Sequence, residues 1–263
     1  ISGAKTNIIY DVQDNYLTYS SYNFPLIKIL EKKMLRKAAF VTVVSKALAD
    51  KIKHYNKKVI LIENGIEFNR INPIDKIKAR KKNNLPVKAK IIGYGARYAD
   101  KAQKAPIDFL IKCYNLLKKR HKNLYLLLIG EGNPSRVRKE KDNSGIIAFE
   151  SVKYGRLMEL LSSTDVLVIP YMLTPFTRYS FPYKLPEYMV FSKPVVCPDI
   201  GEMKRLLNHT TQLIFKHNDS NDFIRKIESA FKIRRVDYSN QLKNLTWDAI
   251  AKKLSKGMEL YLK

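Results

Sequence analysis

Residues 180–202 have the sequence SFPYKLPEYMVFSKPVVCPDIGE, and the rest of the chain is organised around them. Ser180 and Pro182 predict the start of a helix, because serine favours the N-cap position and proline favours the first turn. Lys184 and Glu187 are three residues apart, so a helix places both on one face. A helix N-terminus attracts anions, and this pair suits a phosphate and a ribose hydroxyl, respectively. The alternative is a capped amphipathic helix with a solvated Lys/Glu pair.

The second half of this stretch predicts the end of the helix and a buried strand. Residues 188–191 (YMVF) supply the apolar side of the helix. Pro194 disfavours the helical conformation of the residue before it, so the helix must end near that point. Residues 195–197 (VVC) predict a buried strand, and 198–202 predict the loop that follows it.

Strands alternate with helices along the whole chain, which predicts parallel βαβ units and an α/β fold. The carboxyl ends of strands in such sheets face the ligand crevice, and Asp14, Ser45 and Asn64 lie at such ends. The predicted strands are 7–12, 40–44, 59–62, 90–94, 124–129, 145–149, 166–170, 195–197 and 212–215. Besides the central helix, the predicted helices are 25–39, 45–53, 106–119, 154–162, 202–207, 219–231 and 246–262.

Composition narrows the class of protein. The 263 residues are 45% hydrophobic, which supports a sizeable core, and the formal net charge of +25 favours anionic partners. The two cysteines, Cys113 and Cys197, lie in apolar segments and fit a reducing, cytoplasmic compartment. No apolar run reaches the length of a membrane span. Because the chain starts at Ile1 and enters a strand almost at once, we expect a fragment of a longer protein.

The loop after the strand at 90–94 carries the first cluster of candidate ligand-binding residues. Arg97 offers a planar fork to phosphate oxygens, and Lys101 and Lys104 add point charges. Gly95 lets the backbone approach a ligand closely. These cations are able to neutralise a diphosphate without a metal ion. The alternative is a basic surface loop in a lysine-rich chain.

Two further strand ends carry weaker signals. Residues 130–132 (GEG) form a flexible loop, for which a plain turn is the competing interpretation. Residues 149–154 are suited to hold a base against their backbone, unless they only connect two elements. The four histidines and two cysteines have no metal-ligand spacing, so no metal site is predicted. No catalytic residue is predicted either.

In combination, these motifs resemble the family 4-type glycosyltransferases of the GT-B fold (glycosyl transferases group 1). Two departures from the family pattern are Glu63, which replaces a proline, and Ala105, which replaces a glycine and leaves Lys101 and Lys104 as competing candidates. The motifs that carry the resemblance are AAFVTVVS at 38–45, IENGI at 62–66, GAR at 95–97 with Lys104 and LI at 110–111, IGEG at 129–132, STDVLVIP at 163–170, SFPYKLPEYM at 180–189, KPVV at 193–196 and the helix after Trp247.

The resemblance implies a domain organisation. Residues 1–67 are the C-terminal part of an N-terminal, acceptor-side lobe that is only partly present, and 68–88 are a linker. Residues 89–243 form a Rossmann-like, parallel-sheet domain that binds the nucleotide sugar. Residues 244–263 form a C-terminal helix that crosses back to the first lobe.

The resemblance also assigns roles to residues. Diphosphate binding falls to Arg97, Lys104, Lys101 and Gly95. The ribose and sugar are assigned to Glu187, Lys184, Ser180, Pro182, Tyr179 and Leu185, the base to Gly130, Glu131, Ser151 and Val152, and the interlobe crevice to Asn64, Gly65 and Asp14. Retaining members carry an E-x7-E pair that ends at the position of Glu187, and the first glutamate is here Tyr179. The donor-sugar contacts and the anomeric outcome therefore stay open.

The resemblance implies a hexosyltransferase that moves a sugar from a UDP- or GDP-linked donor to a glycan or lipid-linked acceptor, retaining and without metal or other cofactor. The basic helix at 26–37 favours docking on an anionic membrane, at the inner face, as a peripheral protein. One alternative is an epimerase or phosphorylase of the same fold. A second is a basic nucleic-acid-binding module, but because the lysines are spread over every predicted helix we expect no nucleic-acid partner.

Overall fold

The computed structural model of the chain describes residues 7–18, 24–96, 101–131 and 144–262. Within these ranges two separate parallel sheets are present, one of three strands and one of six. The predicted α/β fold with parallel sheets is thereby confirmed.

The first sheet has the strand order β1-β2-β3 and consists of β1 (Ile9–Val12), β2 (Phe40–Val43) and β3 (Val59–Leu61). All four residues of β2 are buried, as expected for the central strand of a covered sheet. Helix α1 (Pro25–Lys37) follows β1, and helix α2 (Lys46–Ile52) follows β2. The hydroxyl of Ser45 caps α2 by accepting a hydrogen bond from the Leu48 amide at 3.1 Å, as the sequence predicted.

Helix α3 (Lys76–Lys82) lies between the two sheets in the sequence, inside the segment predicted as a linker. Its basic run is not uniformly solvated, because Arg80 is only 2% exposed. The Arg80 guanidinium donates to the carbonyls of Ser163 and Val87, each at 2.8 Å, and to the carboxylate of Asp165 at 2.7 Å. Asp165 also accepts from the Ile91 amide at 2.8 Å, so α3 is attached to the second sheet.

The second sheet has the strand order β6-β5-β4-β7-β8-β9. Its strands agree with the predicted ones to within a few residues, but two are shorter than predicted, at 166–170 and at 212–215. They are β4 (Lys90–Gly95), β5 (Leu124–Ile129), β6 (Ile146–Phe149), β7 (Val166–Val168), β8 (Val195–Pro198) and β9 (Ile214–Phe215). Gly95 pairs with Ile129, and Ile129 with Phe149, so the carboxyl ends of β4, β5 and β6 meet at one edge.

Helices cover both sheets and also close the chain. Those after the first sheet are α4 (Lys104–Arg120), α5 (Tyr154–Ser162), α6 (Lys184–Met189), α7 (Met203–Leu206), α8 (Ser220–Ala230), α9 (Ser239–Leu242) and α10 (Trp247–Tyr261). Short 3-10 turns occupy Tyr16–Thr18, Phe68–Arg70, Lys101–Gln103, Asn208–Leu213 and Lys243–Leu245. The turn before β9 explains why that strand begins later than predicted.

The central helix, α6, starts later than the sequence predicted. Its N-cap position is Tyr183, which makes no side-chain cap, so Ser180 is not the cap. Pro182 lies ahead of the helix, and the proline of its first turn is Pro186, whose missing N–H would have been unpaired there in any case. After Val190 and Phe191 the chain turns at Ser192, which has φ +53°, before the next strand.

The chain returns from the second sheet to the first through its last residues. The Ile66 amide donates to the Leu245 carbonyl at 2.8 Å, and the ring of Tyr261 lies 5.7 Å from that of Phe40. A Cβ at Gly257 would meet Ile60 at 2.1 Å, so α10 packs closely on β3. The predicted domain boundaries themselves stay a prediction.

The sequence also predicted that both cysteines lie in apolar segments and that no segment is long and apolar enough to span a membrane. Cys113 and Cys197 are both buried free thiols, and burial raises the pKa of Cys113 to about 12. Within the described ranges, no helix is both long and apolar enough to span a bilayer.

Candidate functional site

A cavity of about 260 Å³ lies between the two sheets. The loop after β3, with Asn64 and Gly65, forms one wall, and α6, with Pro186 and Glu187, forms the opposite wall. The remaining lining is largely aromatic and includes Tyr154, Phe181, Tyr183 and Trp247. Asn64 and Gly65, predicted for the interlobe crevice, therefore line the same cavity as Glu187, which was predicted for ribose binding.

Two carboxylates line this cavity: Glu67 is exposed and pairs with Arg70 at 3.2 Å, whereas Glu187 is partly buried. Burial raises its pKa above the ordinary value of 4.5, against the opposing effect of the nearby Lys184 ammonium. The pKa of the neighbouring Tyr154 is also raised, first by burial and then by the Glu187 charge. Such a carboxylate is a strong acceptor for hydroxyl groups, because little water competes for it.

Lys184 lies one turn before Glu187 on the same helix, as the spacing predicted. Its ammonium donates to the Tyr171 hydroxyl at 3.3 Å and lies 5.6 Å from the centre of that ring. Tyr171 comes three residues after the end of β7, at the carboxyl edge of the second sheet. The contact holds the cation at this edge, where an anionic ligand group is able to reach it.

Asn64 contributes an unpaired donor from the other wall. Its buried Nδ2 has no hydrogen-bond partner among the described residues. A side chain at Gly65 would clash with the Trp247 ring, since a Cβ there would lie 2.6 Å from it. The backbone at Gly65 therefore approaches the tryptophan closely, and the neighbouring Asn64 amide nitrogen is buried without a partner in the described part of the chain.

The end of β4 is tied to α6 through Tyr188. The Gly95 amide donates to the buried Tyr188 hydroxyl at 2.9 Å, and the Ala96 amide donates to the Ile129 carbonyl at 2.9 Å. Burial raises the pKa of Tyr188, so its hydroxyl stays protonated. The predicted diphosphate loop and the predicted ribose helix thus share one hydrogen-bonded edge.

Only part of the predicted diphosphate set can be located. Gly95 ends β4, and Lys104 is the exposed first residue of α4. Arg97, the side chain of Lys101 and the last glycine of the 130–132 loop lie outside the described residues.

The predicted base-binding residues follow β5 and β6 at the same edge. The Gly130 amide donates to the Phe149 carbonyl at 2.9 Å, which joins the two strand ends. Gly130 has φ +150°, and a Cβ there would lie 1.6 Å from the Ala96 carbonyl oxygen, so only glycine fits. Glu131 and Ser151 are exposed, and Val152 is partly buried.

The segment before α6 faces the first sheet. The Ser45 hydroxyl donates to the Tyr179 carbonyl, and the Lys51 ammonium lies 5.3 Å from the centre of the Tyr179 ring. Lys51 also donates to Asn15 Oδ1 at 2.6 Å. The position of the missing carboxylate is therefore occupied by a tyrosine that contacts a lysine across the crevice.

Other predicted residues of this segment differ in accessibility. Ser180 is partly buried, and Pro182 is buried. Leu185 is fully buried in the core, so its side chain is not available to a ligand. Asp14 lies at the end of β1, close enough for its charge to raise the pKa of Tyr183, after the larger effect of burial.

Sequence reasoning did not assign Tyr171 or Trp247 to the site, and it included Tyr154 and Phe181 only as members of the segments 149–154 and 180–182. A tyrosine shortly after a predicted strand, as at position 171, is a signal that would have found that residue. Trp247 begins a helix whose orientation depends on packing. In the ranges the structure covers, no group of His, Cys, Asp or Glu side chains is arranged to hold a metal ion.

Comparisons with known proteins give both sequence and structural matches. The sequence model described as glycosyl transferases group 1 matches residues 89–232, more than half of the 263 residues. No sequence among curated proteins matches the chain.

Several solved structures share the fold. Sucrose-phosphate synthase from Thermosynechococcus elongatus matches with a TM-score of 0.74 and 18% identity, over 97% of this chain and 67% of that one. A glycosyltransferase from Rickettsia africae has a TM-score of 0.72 and 17% identity, over 97% and 70%. HepE from Anabaena, in complex with UDP and glucose, has a TM-score of 0.70 and 16% identity, over 96% and 71%. At these identities the likeness shows the fold.

Proposed function

Because this chain belongs to the glycosyl transferases of group 1, and is thus a transferase with the GT-B fold, we propose that its donor is a nucleoside-diphosphate sugar bound at the carboxyl edge of the second sheet. The observation that carries this proposal is the joint placement of Glu187, Lys184 and the Gly95 loop on one hydrogen-bonded edge. A carboxylate, a cation and a glycine-lined strand end are the groups that a ribose and a diphosphate require.

The donor would be held in three parts. The Glu187 carboxylate accepts hydrogen bonds from the ribose hydroxyls, and Lys184 lies beside the phosphates. Arg97, Lys104 and Lys101 bind the diphosphate with the Gly95 backbone. The base contacts the backbone of the loops that carry Gly130, Glu131, Ser151 and Val152.

The same cations would assist the reaction. Breaking the bond between sugar and diphosphate leaves negative charge on the departing nucleotide, and positioned cations stabilise that charge. Arg97, Lys104 and Lys184 supply this positive charge from the chain itself, which supports transfer without a metal ion. Because Tyr179 stands in place of a carboxylate, retention rests on the family resemblance alone and needs product stereochemistry to test it.

UDP is the first nucleotide to test. HepE is bound to UDP and glucose, whereas none of the three structures named above is described with GDP. The proposed reaction is therefore transfer of a hexose from a UDP sugar to an acceptor hydroxyl, with GDP as the comparison ligand.

The acceptor side carries a surface suited to an anionic membrane, which supports a lipid-linked acceptor over a free glycan or polysaccharide. Helix α1 exposes large apolar side chains, from 40% for Met34 to 66% for Leu26. Phe24, Ile29 and Leu30 are also exposed. Interleaved with them are the cations Lys28, Lys32, Lys33, Arg36 and Lys37. An apolar face bordered by cations is typical of helices that lie in the interface of anionic bilayers.

Saturation-transfer NMR with UDP and with GDP tests the donor site. We expect UDP to give a binding signal. Arg97→Ala and Glu187→Gln should each weaken the affinity for UDP at least tenfold. The control is Arg120→Ala, an exposed arginine on α4 that pairs with Glu228. If neither nucleotide binds, or if Arg97→Ala binds as the wild type does, the donor proposal is wrong.

Vesicle sedimentation tests the membrane proposal separately. Vesicles with anionic lipid should sediment the protein at low salt, and Leu26→Ser with Leu30→Ser should abolish this. Leu260→Ser is the matched control, since Leu260 is 69% exposed on α10. Equal sedimentation of both variants would contradict docking through α1 and leave the donor proposal standing.

A further inference from the structure

A second and larger cleft, of about 610 Å³, lies at the other end of the six-stranded sheet. Lys90 is the first residue of β4, Asp165 immediately precedes β7, and Lys193 shortly precedes β8, so the cleft opens at the amino ends of these strands. The segment 230–235 after α8 forms the opposite wall. The donor residues lie at the carboxyl ends of the same parallel strands, so the two places are on opposite edges.

The cleft is strongly cationic. The lining contains two carboxylates, Asp75 and Asp165, against six basic side chains, Lys76, Lys90, Lys193, Lys232, Arg234 and Arg235. Burial lowers the pKa of Lys193 to about 7, so this lysine adds less charge than the other basic residues. Both carboxylates are already engaged. Asp165 accepts from Arg80 at 2.7 Å and from Lys76 at 2.8 Å, and Asp75 caps α3 by accepting from the Lys78 amide at 2.8 Å.

Some of these cations donate hydrogen bonds to backbone carbonyls, whereas others have no partner among the described residues. Lys193 is directed at backbone carbonyls, including that of Thr164 at 2.6 Å, and Lys90 donates to the Phe231 carbonyl at 3.3 Å. The exposed side chains of Lys232 and Arg234, in contrast, make no hydrogen bond or ion pair with any residue the structure describes. Positive charge at the rim of a concave site is thus left without an anion.

We infer that this cleft binds a small ligand carrying two or more phosphate groups. Its volume falls in the range of small-molecule sites, about 300–1,000 Å³. The arginine forks match phosphate oxygens, and several lysines supply further point charges. A concave site of this size favours a small ligand over a flat bilayer or a nucleic-acid duplex. Its aromatic residues, Phe191 and Phe231, lie buried or beneath Lys90 and offer no stacking face.

The position of the cleft yields a direct test, because the donor site also binds phosphates. Isothermal titration with inorganic pyrophosphate is performed on the full chain, both as the wild type and as Arg97→Ala with Lys104→Ala, which removes two cations of the proposed donor site. We expect one class of pyrophosphate sites to persist in that donor-site variant. Lys232→Glu with Arg234→Glu should weaken that class at least tenfold.

The control variant carries the same charge change elsewhere. Lys252→Glu with Lys256→Glu alters two exposed cations on α10 and should leave the affinity within twofold. Equal melting temperatures of the two variants would show that both are folded. Similar loss in both charge-change variants would overturn the inference, and so would the absence of pyrophosphate binding in the wild type or its complete loss in Arg97→Ala with Lys104→Ala. If anionic vesicles bind through Lys232 and Arg234 while pyrophosphate does not, the ligand is a lipid headgroup and the inference is wrong.

Discussion

Glu187, the proposed ribose ligand, is a side chain whose burial has a cost in stability. Burial raises its pKa, so the folded protein holds this proton more tightly than the unfolded chain does. The free energy of unfolding is therefore higher at pH values below the pKa that Glu187 has in the unfolded chain. It falls as the pH rises through the raised pKa of the folded protein. At pH values above the raised pKa the folded state therefore contains a carboxylate charge that it would be more stable without.

Replacing Glu187 with glutamine should separate binding from stability. We expect Glu187→Gln to raise the free energy of unfolding at pH values above the raised pKa, because the amide has no charge to desolvate. The same variant should weaken UDP affinity at least tenfold and remove the loss of affinity that the wild type shows as the pH falls through the raised pKa. Urea denaturation and titration with UDP at several pH values measure both effects, and an unchanged pH profile would contradict the assignment of Glu187.

Gly130 is a residue for which backbone geometry permits no alternative. Because φ is +150° and a Cβ would lie 1.6 Å from the Ala96 carbonyl oxygen, Gly130→Ala should destabilise the fold by at least about 2 kcal/mol. Gly155→Ala is the matched control, because no atom lies within 4 Å of its Cβ position. That helical substitution should be neutral or stabilising by up to about 1 kcal/mol. Equal urea midpoints for the two variants would refute this prediction.

At the scale of elements, α3 depends on one buried arginine. Arg80 donates to three carbonyls and to Asp165 from a position that is 2% exposed. Arg80→Ala removes the arginine donor from the three carbonyls and leaves Asp165 with only Lys76 and the Ile91 amide, so it should cost about 3–5 kcal/mol. The next residue, Lys81, is exposed, and Lys81→Ala should change stability by less than about 0.5 kcal/mol. Chemical denaturation of both variants measures the difference, and a loss below 1 kcal/mol for Arg80→Ala would show that α3 is held by other contacts.

At the scale of the whole molecule, charged residues connect the two sheets. Glu63, at the end of the first sheet, accepts from Arg205 at 2.8 Å and from Lys253 at 2.7 Å. Arg205 also donates to Glu202, which in turn accepts from the Lys46 amide at 2.6 Å. This network joins residues that follow the first sheet to helices α7 and α10, close to the cavity that Asn64 and Glu187 line.

Removing Glu63 should loosen that connection. We expect Glu63→Ala to cost about 1–2 kcal/mol, because the carboxylate is buried whereas its two partners regain water. Glu67→Ala, which breaks an exposed pair with Arg70, should cost less than about 0.5 kcal/mol. Thermal unfolding at low and high salt compares the two variants. Equal losses would mean that the buried network contributes no more than a surface ion pair.

Local patterns predicted those features of the fold that depend on nearby residues. Apolar strands followed by amphipathic helices indicate parallel βαβ units wherever they occur, and the Ser45 cap acts over three residues. The first residue of a helix is harder to predict where several neighbouring residues are each suited to begin it. Ser180 and Pro182 have the residue types of a helix start, yet α6 begins at Lys184, because the chain before it packs against the first sheet through Tyr179.

The sequence by itself determined the alternation of strands and helices, the family, and the residue types available for a nucleotide, because these are encoded by local spacing and chemistry. Only the tertiary structure decided which of them meet. Glu63 and Arg205 are far apart in the chain but form one ion pair, and Asn64 and Glu187 line one cavity although different sheets carry them. The cationic cleft likewise collects residues from five separate segments. Long-range packing and burial set these distances, and no local pattern in the sequence specifies them.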